Sequence, residues 1–181
     1  MDLREKKTKR SIQNAFLQLR SHKPLERITV KELSELAEIS KGTFYLHYKD
    51  IYDLSEHLQN EVIQKILDTI THPELVLSAP AQFTKELYAA FYAHQSLIDI
   101  LFSGTQASVL PLQIEEKIRE YICQLVPNAQ KQARLSILLS YQIQGGYYAY
   151  ADNHKRFGPE CVLEVLSEIA EKLSLNTETP T

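Results

Sequence analysis

"ITVKELSELAEISKGTFYLHYKD", residues 28–50, carries two helix starts in quick succession. Thr29 offers a hydroxyl to cap the first, and Glu32, three residues on, completes a capping box. Val30, Leu33, Leu36 and Ala37 give that helix one apolar face. Ser40 caps again only three residues after Ala37. Two short helices joined by so tight a turn cross at a large angle, which is the helix-turn-helix arrangement. In the second helix Phe44 and Tyr48, four apart, turn towards the core, leaving Lys41, Gly42, Thr43, Tyr45, Leu46, His47 and Lys49 for the other faces. A glycine inside a first turn costs roughly 1 kcal/mol relative to alanine. Close approach of the Gly42 backbone to a large partner explains that cost.

The neighbouring sequence extends the helical pattern both ways. Upstream, Ile12, Ala15, Phe16 and Leu19 fall at i, i+3, i+4 and i+7, behind the basic run KKTKR. That helix stops at SHKP, where Pro24 biases Lys23 away from helical geometry. Downstream, Asp50 caps a longer helix through Ile51, Leu54, Leu58, Val62, Ile66 and Ile70, ended near Pro73. The remainder reads as helices over about 80–103, 108–126, 128–151 and 159–174, with Pro80 and Pro159 in first turns, Asn128 as a cap and a polar tail, NTETPT, that frays. Few runs alternate with period 2, so strands are not expected. The expected fold is all-α: a three-helix helix-turn-helix head at 1–50, then a helical body at 51–181 whose first segment, 51–71, is a connector helix.

Composition narrows the function classes. The chain has 181 residues, 44% apolar and 24% charged, which suits a folded globular protein. No run approaches the roughly 20 apolar residues of a membrane span, and MDLREKKTKR has no apolar core for a signal peptide, so the expectation is a cytoplasmic protein without a membrane partner. Cys123 and Cys161 form no C-x-x-C and have no histidine at ligand spacing; they are expected as buried reduced thiols, with no zinc site. No nucleophile–base spacing, glycine-rich phosphate loop or metal cluster is present, and His94 and His154 stand alone, so neither an enzyme nor a cofactor is expected. Charge is polarised: residues 1–49 hold 11 Lys+Arg against 6 Asp+Glu, and residues 50–181 hold 9 against 17. A basic head that meets a polyanion and an acidic body that does not is the natural reading.

The second short helix fits that polyanion. Thr43 offers a hydroxyl and a methyl to base edges, and Lys41 can reach guanine acceptors in a major groove. Tyr45, His47 and Lys49 are natural phosphate donors, and Lys6, Lys7, Lys9 and Arg10 add backbone or minor-groove contacts. Residues 10–58, and most sharply "ITVKELSELAEISKGTFYLHYKDIYDL", resemble the DNA-binding domain of TetR-type transcriptional regulators. The resemblance implies that Lys31, Lys41, Gly42, Thr43 and Leu46 face bases, while Thr29, Tyr45, His47 and Lys49 hold phosphates. Two positions depart from the family pattern. Glu38 stands at the turn where glycine is usual, a left-handed position that costs such a residue about 1 kcal/mol. Ile51 stands where many members have a phosphate-binding lysine, leaving only backbone amides there.

One recognition helix reads few bases, so a symmetric homodimer on a double-stranded palindromic operator is expected. Leu138, Tyr141, Gly145 and Tyr148 with Val162, Val165, Leu166 and Ile169 are the candidate interface, Gly145 and Gly146 allowing close helix approach. Phe91, Tyr92, His94 and Tyr121 are the candidates to line a cavity for a small-molecule effector, a site the family resemblance favours. The expected function is a transcriptional regulator, a repressor in the first reading. An activator, or a protein-binding module whose body answers to a partner protein, shares most of these features.

Overall fold

In the computed structural model, which describes residues 3–126, 128, 129 and 132–173, every regular element is helical and no strand occurs among the described residues. The polar tail lies outside those residues. The chain divides into two compact units. One runs through Gln64 and takes in His94–Ala107; the other holds Lys65–Ala93 and the chain from Ser108 onward. The expected boundary at residue 50 therefore falls inside the first unit.

The first unit starts with α1 (Leu3–Arg20), which buries Ile12, Ala15 and Phe16 as its spacing predicts. After a 3-10 turn at Leu25–Arg27 come α2 (Val30–Leu36), α3 (Lys41–Tyr45) and α4 (Ile51–Thr69), the last entering the second unit at Lys65. The α4 stripe from Ile51 to Ile70 is buried throughout. On α2, Leu33 and Ala37 are buried with Ser34, but Leu36 is exposed. The inward face is centred between Leu33 and Ala37, and a residue one position before Ala37 is rotated about 100° off it.

The segment expected as one helix over 80–103 is two, α6 (Pro80–Ala93) and α7 (Gln95–Leu101), meeting at His94. Its α7 half belongs to the first unit. There Arg20, only 6% exposed, donates from Nη1 to the Lys23 carbonyl at 3.1 Å and from Nη2 to the Ser103 carbonyl at 2.8 Å. Buried Gln59 donates to the Leu101 carbonyl at 3.1 Å and to Gln106 at 3.2 Å, and Thr105 bonds Glu26. A buried guanidinium is retained only with such partners. Removal from water lowers the Arg20 pKa and nearby Glu26 opposes that shift.

In the second unit α5 (Leu75–Ser78) and α6 precede α8 (Val109–Leu125), α9 (Ala133–Ser140), α10 (Gly146–Phe157) and α11 (Pro159–Lys172), with α11 packed along α6. The helix expected from Asn128 starts later. Asn128 is a left-handed residue at φ 57°, and Gln132 precedes the first turn. Between α9 and α10 the chain widens into a π turn at Tyr141–Gly145. Gly146 makes the close approach within the protomer: a Cβ there would stand 3.4 Å from the Tyr88 hydroxyl, whereas one on Gly145 would meet nothing within 4 Å. Cys123 and Cys161 are both exposed, contrary to expectation, because each directly follows or precedes a buried residue, Ile122 or Val162, and is turned off that stripe.

A polar cluster holds α8 to α9 and the π turn. Glu115, itself buried, accepts from Arg119, from Ser140 and, at 2.6 Å, from Gln144, while Arg119 also donates to Ser136 at 2.6 Å. Burial pushes the Glu115 carboxyl up, but the hydrogen bonds from Gln144, Ser140 and Arg119 outweigh it and hold the group below its ordinary range.

Candidate nucleic-acid interface

Local hydrogen bonding sets the turn between α2 and α3. The Thr29 hydroxyl accepts from the Glu32 amide at 3.2 Å, which caps α2. The carboxylate expected to complete the box pairs with Lys23 instead, a cation from beyond the α2 segment. Ser40 Oγ accepts from the Thr43 amide at 3.0 Å and lies 2.9 Å from the Thr43 hydroxyl. Between them Glu38 takes φ 54°, the left-handed conformation expected at that position. Ser11 donates to the Ala37 carbonyl at 2.9 Å, so α1 ties down the start of the turn.

The same logic fixes the exit. Asp50 Oδ1 accepts from the Asp53 amide at 2.8 Å and caps α4; Asp53 Oδ2 in return accepts from the Lys49 amide at 2.8 Å. The first amides of α4 are thus partly taken, and Ile51 is buried.

Between these two anchors α3 is held from beneath. Phe44 and Tyr48 are buried with ring centroids 5.9 Å apart, and Tyr48 meets His57 of α4 at 5.7 Å. Burial raises the Tyr48 hydroxyl above its ordinary pKa, so it stays protonated at neutral pH. Tyr45 stands on the outside, its ring edge-on to Phe44 at 5.5 Å.

Lys41, Gly42, Tyr45, Leu46 and Lys49 are exposed, and Thr43 and His47 are half-buried. Thr29 and Lys31 are exposed on α2. Lys31 has Glu35 at 4.0 Å, with both side chains largely in water, a pair worth at most about 1 kcal/mol that a phosphate or base can displace. Among the described residues no carboxylate forms an ion pair with Lys41 or Lys49. A Cβ on Gly42 would meet only Ser40 Oγ, at the ordinary distance of 3.6 Å. Nothing inside the protein demands glycine there.

The body candidates are scattered. Phe91 faces Tyr88 at 6.5 Å, Tyr92 is 74% exposed, His94 sits at the start of α7 in the first unit, and Tyr121 is half-buried on α8. Sequence reasoning passed over the aromatic contact that is present: Tyr88 and Tyr150 at 4.8 Å, with His154 stacked on Tyr150 at 5.0 Å. Deep burial of Tyr88 raises its hydroxyl far above the usual range. The i, i+4 spacing of Tyr150 and His154 was the available signal. Of the interface candidates, Tyr141, Gly145, Tyr148, Val165 and Ile169 are exposed, with Ile137 beside them in sequence, and Leu138 and Leu166 are half-buried. Val162 is buried within the protomer, among the residues of its core.

Among the described residues no single helix is long and apolar enough to cross a membrane, although one bent helix pair meets that test of length and composition. No group of three metal-ligating side chains occurs among the described residues. No family model matches the chain. It is 26% identical over 97 residues to YxbF, an uncharacterised HTH-type transcriptional regulator of Bacillus subtilis strain 168, a match covering 51% of this chain and 26% of that protein. The chain spans about a quarter of the length of this curated relative, and over about half of its own length it is similar to a transcriptional regulator.

Proposed function

We propose that this protein is a TetR-type, DNA-binding transcriptional regulator of the cytoplasm, not an enzyme, in which α3 is the recognition helix of a helix-turn-helix. One observation carries the reading. The five-residue α3 and the turn after it, anchored by Phe44 and Tyr48, present Gly42, Leu46, Tyr45 and two cations, Lys41 and Lys49, that have no ion-pair partner among the described residues. Such a surface combines phosphate neutralisation with base-edge contact. Similarity to an HTH-type regulator supports the same reading.

The protein acts as a homodimer on a palindromic operator, as a repressor. Exposed Ile137, Tyr141, Tyr148, Val165 and Ile169 support an interface formed by α9, α10 and α11. A small-molecule effector in the helical body would release DNA by binding more tightly to the conformation with the wrong head spacing.

Selection of bound duplexes from a random pool at near-physiological salt tests this. The expected result is enrichment of one inverted repeat, bound with a steep dependence on ionic strength. A well-folded dimer that enriches nothing overturns the DNA reading and favours a head used for protein contact.

A further inference from the structure

We infer that Leu46 reads the C5 methyl group of a thymine in the major groove, and that Gly42 clears the space which lets it do so. The inference rests on the DNA-binding reading above and names the chemical group recognised.

Leu46 is 83% exposed, more than any other large apolar side chain described, yet Phe44 and Tyr48, two residues to either side of it, are buried. Helical rotation of about 100° per residue explains the contrast. Measured from Phe44, both Gly42 and Leu46 fall within about 20° of the opposite side of the helix. They are four apart and share one stripe. Leu46 remains in the right-handed helical region as the C-cap of α3, so the rotation holds through it. The outermost edge of the helix is thus a bare backbone at Gly42 followed by a projecting isobutyl group.

That edge would be the first to meet the floor of a groove. The flanking residues choose the kind of floor. Lys41 and Lys49 are exposed and have no ion-pair partner among the described residues, and the first 49 residues carry a net excess of five positive charges. A polyanion complements that charge, and B-DNA is a polyanion whose major groove offers an apolar target at the thymine methyl. A leucine has no donor or acceptor for the other base edges. Its preference must therefore come from the one apolar group on them.

The test replaces single thymines of the selected operator with 2′-deoxyuridine, which exchanges the methyl for hydrogen and keeps every hydrogen-bonding atom. Affinities of the full chain and of Leu46→Ala are compared by fluorescence anisotropy. Burial of one methyl corresponds to about a fourfold change in affinity, or about fifteenfold when both half-sites are altered. One thymine per half-site is expected to show that loss with the parent protein and none with Leu46→Ala. Gly42→Ala is expected to weaken binding to all duplexes while leaving the circular dichroism unchanged. Two results would overturn the inference: no deoxyuridine position that weakens the parent protein, or an equal loss in Leu46→Ala, which would assign the methyl to another side chain. Binding to no duplex at all would overturn the DNA reading with it.

Discussion

Phe44 and Leu46 are separated by one residue, yet Phe44 has no exposed surface and Leu46 is the most exposed large apolar side chain described. The two report on different things. Phe44→Ala should cost about 3–5 kcal/mol of stability by opening a cavity beneath α3. Leu46→Ala should stay within about 0.5 kcal/mol of the parent. Urea denaturation of both variants separates an anchor from a reader.

Lys49→Ala tests phosphate contact apart from base reading. With its amide held by Asp53, Lys49 keeps its place in the chain when the ammonium is removed. Affinity should fall by a similar factor on all duplexes, and the log–log salt slope should drop by about 2 for a dimer that loses one phosphate contact per head. An unchanged slope would remove Lys49 from the interface.

Glu38→Gly is expected to stabilise the protein. At φ 54° a side chain is strained and glycine is not, a difference of about 1 kcal/mol less the glycine entropy in the unfolded chain. A raised midpoint in thermal unfolding is the expected outcome. DNA affinity should be kept.

Glu115 gives a pH prediction. Its carboxyl lies below the ordinary carboxylate range in the folded protein, so the unfolded chain takes up the proton first as pH falls. The stability it contributes is complete above the ordinary pKa of the unfolded chain and is lost as pH drops through the lower, folded pKa. Glu115→Gln should therefore flatten the acid limb of the stability profile while costing about 1–3 kcal/mol at neutral pH. Denaturation midpoints from pH 3 to pH 7 would show it.

Ile169→Glu tests the proposed dimer. Exposed in the protomer, Ile169 can accept the charge without harm to folding. Light scattering at micromolar concentration should fall from dimer to monomer mass, and operator binding should weaken with it. A parent protein that is already monomeric would end the proposal.

Much of the head was legible because its signals are local. Thr29, Ser40 and Asp50 each cap a helix through the amide three residues on, and that chemistry is written in neighbouring letters. The break at His94 was not legible: Phe83, Leu87 and Ala90 are followed by Ile98 and Leu101 in the register an unbroken helix would give. The π turn after Ser140 was hidden in the same way, inside an uninterrupted apolar run. Arg20 looks in sequence like one more surface cation, because its acceptors are backbone carbonyls, one of them at Ser103. No pattern of side chains announces a carbonyl. For the side chains proposed to face DNA, the sequence supplies residue types and a periodicity; exposure of Leu46 and the empty space around Gly42 came only from the fold.

The Arg20–Ser103 hydrogen bond has a consequence for biosynthesis. The basic head is translated early, but its buried guanidinium has to wait for a carbonyl that emerges some forty residues after Gln64. At about 5–20 residues per second, that is a delay of roughly 2–8 seconds. Throughout it the Arg20 guanidinium lacks its Ser103 acceptor, so the head reaches its final form only after residue 107 has left the ribosome.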